Sequence, residues 1–175
     1  MESKELRIGR AGQHLVMFDL LSKGFCCCQT EEGMPYDIVV DVNGLMIRLQ
    51  VKTTTQPSRM NHEYRTATYL FHVRRAGRKG RREYALGEFE GFALVCMDTR
   101  SVWYYPFTET ISKTLIFRVP GLQYKQQSGR RAPFMDEFTS DLFFSRFLTG
   151  QKAQVAHLEA PPADSAAPAA AGEQS

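Results

Sequence analysis

Residues 35–54 read PYDIVVDVNGLMIRLQVKTT, two runs rich in β-branched residues separated by Asn43-Gly44. Asn-Gly between such runs is a strong hairpin signal, because both residues of a tight two-residue turn need positive φ. A turn at 43 and 44 fixes the register: Ile38 faces Leu49, Val40 faces Ile47 and Val42 faces Leu45. All six are apolar and share one face, so turn and pattern agree. The other face carries Asp37, Val39 and Asp41 across from Gln50, Arg48 and Met46. Asp37 lies directly opposite Gln50, with Cβ atoms roughly 5 Å apart. Lys52, two residues on, points to the same side as Gln50. An acid, an amide and an amine therefore converge on one polar patch.

Upstream, the apolar spacing of Ala11, Leu15, Phe18 and of Val16, Leu20 predicts a helix over 11–23 that ends at Gly24. Gln13 shares a face with Val16, Met17 and Leu20, a polar residue aimed at the interior. Such a helix is suited to cover the polar side of the hairpin. Between helix and hairpin, FCCCQT predicts a short strand. Neighbouring strand positions face opposite ways, and Cys26, Cys27 and Cys28 lack the CxxC spacing of zinc sites, so they are expected to be reduced and partly buried. Cys96, in FALVC, is expected in the core.

Downstream, ATYLFHVRR, FALVCMDTRSVWYYP and TLIFRV predict further strands. A final helix falls within Asp136–Leu148, with Phe138, Leu142, Phe143, Phe144 and Phe147 as its apolar side. Helix, strands, then helix describe an α/β or α+β domain with helices on its sheet. Residues 1–150 form this domain. Residues 151–175, rich in Ala and Pro and without periodic apolar positions, are expected to be a disordered tail.

The chain has 175 residues, with 43% hydrophobic and 23% charged. No apolar run approaches the ~18 residues that spanning a bilayer needs. The first ten residues have no apolar signal region, so a cytoplasmic protein is expected. Net charge is +3. The tail carries Lys152 against Glu159, Asp164 and Glu173, which leaves the excess of positive charge on the domain and suits a polyanion partner.

Cutting a phosphodiester needs a hard cation to neutralise charge, a deprotonated water and a scissile group held in line. Magnesium prefers oxygen ligands. Asp37 can supply a carboxylate, and the Gln50 side chain and Val51 carbonyl can supply neutral oxygens. Lys52 can orient the attacking water and steady developing charge, its pKa lowered by a neighbouring cation. The same residue types also suit an ordinary solvated sheet face, and residue types alone leave both readings open.

The runs GRAGQHLVMFDLL (9–21) and PYDIVVDVNGLMIRLQVKTT resemble the group I intron-associated branch of the PD-(D/E)XK endonucleases. They are also similar to the archaeal Holliday junction resolvases of that superfamily. The resemblance spans about residues 7–125 and rests on Pro35-Tyr36-Asp37 and Gln50-Val51-Lys52, followed by Thr53 and Thr54. It implies a restriction-endonuclease-like α/β core with a mixed central sheet flanked by helices. It also implies magnesium (or manganese) as cofactor, double-stranded DNA as substrate, and a homo-oligomer, dimer or tetramer, so that both strands are cut. A homing or mobile-element enzyme is the activity it points to. The family's Asp, Glu/Gln and Lys correspond to Asp37, Gln50 and Lys52. Its helix glutamate corresponds to Gln13, which has the oxygen but not the charge. That departure motivates a second reading, a DNA-binding module that keeps the fold and does not cut. A third is a structural or inhibitory partner of another nuclease. Asp19 turns to another face of the helix, and Asp41 sits further along the strand.

For holding nucleic acid, the loop with Arg74, Arg75, Arg78, Lys79, Arg81 and Arg82 is the main expectation, with Lys125, Arg130 and Arg131 as a smaller site. An exposed charged loop is the plainer alternative for both. Asn61, Tyr64 and Thr53–Thr55 are expected to line the groove. His14, His62 and His72 lack ligand spacing, and Trp103, Tyr104 and Tyr105 are expected in core and sheet surface.

Overall fold

The computed structural model describes residues 3–58, 67–77, 80–121 and 132–148. Helix α1 (Lys4–Ser22) is capped by Ser3, whose hydroxyl accepts the Leu6 N–H at 3.2 Å. It begins seven residues before the apolar spacing suggests, because its first turns are charged. Gly24, at φ 86°, ends it as expected. The strands are β1 (Cys26–Gln29), β2 (Ile38–Val42), β3 (Leu45–Thr54), β4 (Thr68–His72), β5 (Arg75–Gly77), β6 (Gly80–Arg82), β7 (Gly91–Cys96), β8 (Ser101–Pro106) and β9 (Thr114–Arg118). After a 3-10 turn at Met135–Glu137, helix α2 occupies 140–148.

The hairpin has the register read from the sequence, with Ile38 opposite Leu49, Val40 opposite Ile47 and Val42 opposite Leu45. Asn43 and Gly44 take φ 55° and 83°. The Asp41 carboxylate accepts the Gly44 N–H at 2.6 Å and so is engaged in the turn. The hairpin sits in a five-stranded sheet ordered β1-β2-β3-β7-β8. Only β3 and β7 pair in parallel, so the sheet is mixed. A parallel neighbour requires a crossover, and β4, β5 and β6 lie within it. Strand β4 pairs with β9, and β5 with β6, outside the main sheet. The stretch read as a hairpin loop thus carries two short paired strands, Arg75–Gly77 and Gly80–Arg82.

Both helices pack on one face of the sheet. Val16 and Leu20 of α1 and Phe143 and Phe144 of α2 meet Ile38, Val40, Ile47, Leu49, Val51, Ala93 and Val95. The inward stripe of α1 is Gly12, Val16 and Leu20. Ala11 and Phe18, expected to face inward, are exposed, Phe18 by 69%. The stripe works because Gly12 has no side chain: a Cβ there would lie 2.0 Å from Thr53 Oγ1. Leu142, expected on the apolar side of α2, is also exposed.

On the second face, Phe92, Leu94 and Cys96 of β7 meet Tyr69 and Phe71 of β4 and Leu115 and Phe117 of β9. Gln50 and Lys52 pair with Phe92 and Leu94, so they belong to this face. Helix α1 therefore packs on the apolar side of the hairpin and reaches the polar side at its edge, where Gln13 and the residues before it meet Asp37. Its apolar stripe gains more against the six apolar hairpin residues. Cys26 and Cys28 are exposed and Cys27 half-buried, because β1 is an edge strand; Cys96 is fully buried and all four are free thiols. Among the described residues no helix is long and apolar enough to cross a membrane.

Candidate active site

Strand β2 begins at Ile38, one residue after Asp37, whereas β3 continues to Thr54. The Val51 N–H is therefore free for the Asp37 carboxylate, which accepts it at 2.7 Å. The Gln50 amide donates to the same carboxylate oxygen and, at 3.3 Å, to the Val51 carbonyl. Gln13 approaches from α1: its side chain bonds Asp37, and its oxygen accepts from the Gln29 amide at 2.8 Å. Burial pushes the Asp37 carboxyl up from its ordinary value, opposed by the Val51 N–H, the Lys52 charge and the Gln13 and Gln50 side chains.

Lys52 is half-buried on the same side. Its ammonium donates to the Arg74 carbonyl at 3.2 Å and to the Tyr84 hydroxyl at 2.9 Å. Burial drives its pKa down to about 8, with Asp37 opposing. The lowering expected from a metal is thus already present from desolvation. Gln13, Asp37, Gln50, Val51 and Lys52 line one cleft of about 410 Å³, together with Glu5, Ile8, Gly9, Thr53, Thr54 and Thr55.

The four residues singled out from the sequence, Gln13, Asp37, Gln50 and Lys52, are brought together, as is Val51. Asp41 is committed to the turn. Asp19 is elsewhere, bonded to Tyr104 at 2.7 Å and to Lys23 at 2.9 Å. Arg48, next along the face, is taken up by Glu90 through its side chain and backbone N–H. His14 and His72 are exposed, and His72 pairs with Thr114. Tyr104 is core, while Trp103 and Tyr105 pack at the margin of the second cluster. Arg74 and Arg82 bracket the β5–β6 ribbon, Arg74 half-buried and Arg82 exposed. Arg75 and Arg81 are described in their backbone alone. Asn61, His62, Tyr64, Arg78, Lys79, Lys125, Arg130, Arg131 and residues 151–175 lie outside the described residues.

Glu5 and Tyr84 were not singled out. Glu5 was legible in principle: Glu5, Gly9 and Gln13 recur at four-residue spacing on one helix face, once the helix is extended to Lys4. Tyr84 had no local signal.

The donors suit a hard cation. Asp37 Oδ2 and the Val51 carbonyl both accept from the Gln50 amide nitrogen, so two oxygens face one electropositive position that a cation would take if the amide swung aside and turned its oxygen toward it. Among the described residues no cluster of three or more His, Cys, Asp and Glu is present, and within them Asp37 has the neutral oxygens of Val51 and Gln50 beside it.

A family model described as PD-(D/E)XK endonuclease matches residues 2–141. The chain belongs to the PD-(D/E)XK endonuclease family. The fold is also similar to the solved structure of a bacterial homing endonuclease, I-Ssp6803I, at TM-score 0.59 and 18% identity, covering 89% of this chain and 99% of that one. Among curated proteins no sequence matches. PD-(D/E)XK nucleases generally use divalent metal ions, and a nuclease family implies DNA as substrate.

Proposed function

We propose that this PD-(D/E)XK protein is a metal-dependent endonuclease that hydrolyses phosphodiester bonds of double-stranded DNA, of the homing or mobile-element kind. The observation that carries the reading is that the Asp37 carboxylate and the Val51 carbonyl both face the Gln50 amide nitrogen, in a cleft that Lys52 also lines. Asp37, Gln50 and Val51 would hold magnesium, for which manganese can substitute, and the bound ion would neutralise charge on phosphate oxygens. Lys52 orients the attacking water and donates toward the developing charge. Gln13 holds Asp37 in place, its own oxygen tied to the Gln29 amide. Arg74, Arg75, Arg78, Lys79, Arg81 and Arg82, with Arg130 and Arg131, neutralise the DNA backbone. Two copies related by a two-fold axis would cut both strands.

The test is cleavage of linear, junction and supercoiled DNA with magnesium or manganese. Wild type is expected to cut at least one substrate, and Asp37→Ala and Lys52→Ala to lose on the order of 10²–10⁴ in rate. Sizing by light scattering tests the oligomer.

A second reading is favoured by the single carboxylate at the centre of the cleft, Gln13 standing where the family has glutamate. It describes a DNA-binding module without cleavage. It predicts salt-sensitive binding, no cutting in any divalent metal, and cutting restored by Gln13→Glu.

A further inference from the structure

Lys52 carries a four-carbon stem and three N–H donors, and such a side chain loses considerable rotamer freedom when fixed. Two donors are engaged, by the Arg74 carbonyl and by the Tyr84 hydroxyl. The amine also lies 5.1 Å from the centre of the Tyr84 ring. Two acceptors and the stem fill three of the four tetrahedral directions at Nζ. The fourth is determined by the seat rather than by Lys52 itself.

The seat is rigid on the Tyr84 side. The ring makes edge contacts with Phe89 at 4.9 Å, Phe92 at 6.0 Å and Phe107 at 6.5 Å. Its place in the chain is equally informative. Arg74 immediately precedes β5, and Tyr84 follows β6 by two residues. The two groups that grip the amine are thus the two roots of the basic ribbon, whose ends pair as Arg75 with Arg82.

We infer that Tyr84 is a positioning residue for Lys52, and that with the Arg74 carbonyl it makes the root of the basic ribbon part of the catalytic apparatus. This rests on the nuclease reading above for its effect on rate, but the seat itself does not. On the nuclease reading the ribbon meets the DNA backbone, while its root holds the amine of Lys52, a residue that lines the Asp37 cleft. The substrate's grip and the placing of the amine are joined in one element.

Tyr84→Phe removes the hydroxyl and keeps the ring in its aromatic contacts. Two measurements are made on it. Single-turnover cleavage should fall on the order of tenfold, while the Kd for DNA and its salt dependence stay unchanged. The ¹H–¹⁵N correlation of Lys52 Nζ, assigned by its loss in Lys52→Met, should be visible in wild type through protection from solvent exchange and lost in Tyr84→Phe. An unchanged rate overturns the inference, as does a persisting Nζ signal. So does a weakened Kd at unchanged rate, which would make Tyr84 a DNA contact instead. If wild type cuts nothing in any metal, the nuclease reading fails, and the Nζ signal alone still decides whether the seat exists.

Discussion

Toward α1 and α2 the sheet presents Ile38, Val40, Ile47, Leu49 and Val51; toward β4 and β9 it presents Phe92 and Leu94 among Tyr69, Phe71, Phe89 and Phe117. The first face is aliphatic and assembled largely from neighbours in the chain, a tight hairpin and the helix before it. The second is aromatic and gathers segments far apart in sequence. The amine of Lys52 stands over the second and the carboxylate of Asp37 at the margin between them. The difference teaches where each property comes from. Local alternation builds the platform, and long-range aromatic packing places the amine.

The comparison is broken hardest at Phe92, which is fully buried and touches Tyr84, Phe89 and Phe107. Phe92→Ala should destabilise by about 3–5 kcal/mol. Ile47→Val, equally buried on the aliphatic face, should cost about 0.5–1.5 kcal/mol and leave cleavage untouched. Urea unfolding of both variants, with cleavage of the folded fraction, checks this. Equal losses would mean the two faces are not packed to different purposes.

What was legible follows the same division. Asn43-Gly44 and the alternation around it sufficed for the register, and hence for Asp37, Gln50, Val51 and Lys52 at one cleft, because a two-residue turn leaves no freedom. Gln13 was legible as a polar residue on an apolar helix face. Its route was not: it meets Asp37 just before β2 begins, and strand boundaries are poorly marked in sequence. The spacing of Phe18 fits one of several helical stripes, and only Gly12 against Thr53 decides which one closes on the sheet. Glu5 was hidden by a charged first turn. The partners of Lys52 lie 22 and 32 residues away and carry no periodic signal.

A second prediction concerns the buried amine. Its folded pKa of about 8 lies below the ordinary 10.5, so the unfolded chain binds the proton more tightly. Stability therefore rises as pH climbs from 8 to 10.5 and is lowest below 8. Lys52→Met removes this penalty while leaving two acceptors without their donor. It should be more stable than wild type by about 1–3 kcal/mol at pH 7, and the advantage should shrink toward pH 10. Denaturant unfolding at both pH values measures it. An advantage that does not vary with pH would mean the amine is not desolvated in the folded state.

The smallest effects separate two glycines three residues apart on α1. Gly12 is buried against Thr53, and a methyl there would collide with a short branched side chain on a strand. Gly9 lines the open cleft, and a methyl there would meet nothing within 4 Å. Both substitutions bring the same gain in helix propensity, about 0.5–1 kcal/mol, so any difference between them is tertiary. Gly9→Ala should stabilise by that amount. Gly12→Ala should destabilise by about 1–3 kcal/mol, as overpacking of a closed contact does. Thermal unfolding of the two variants is decisive because the signs are opposite. If Gly12→Ala also stabilised, α1 would be free to lift off β3, and Gln13 would have no fixed approach to Asp37.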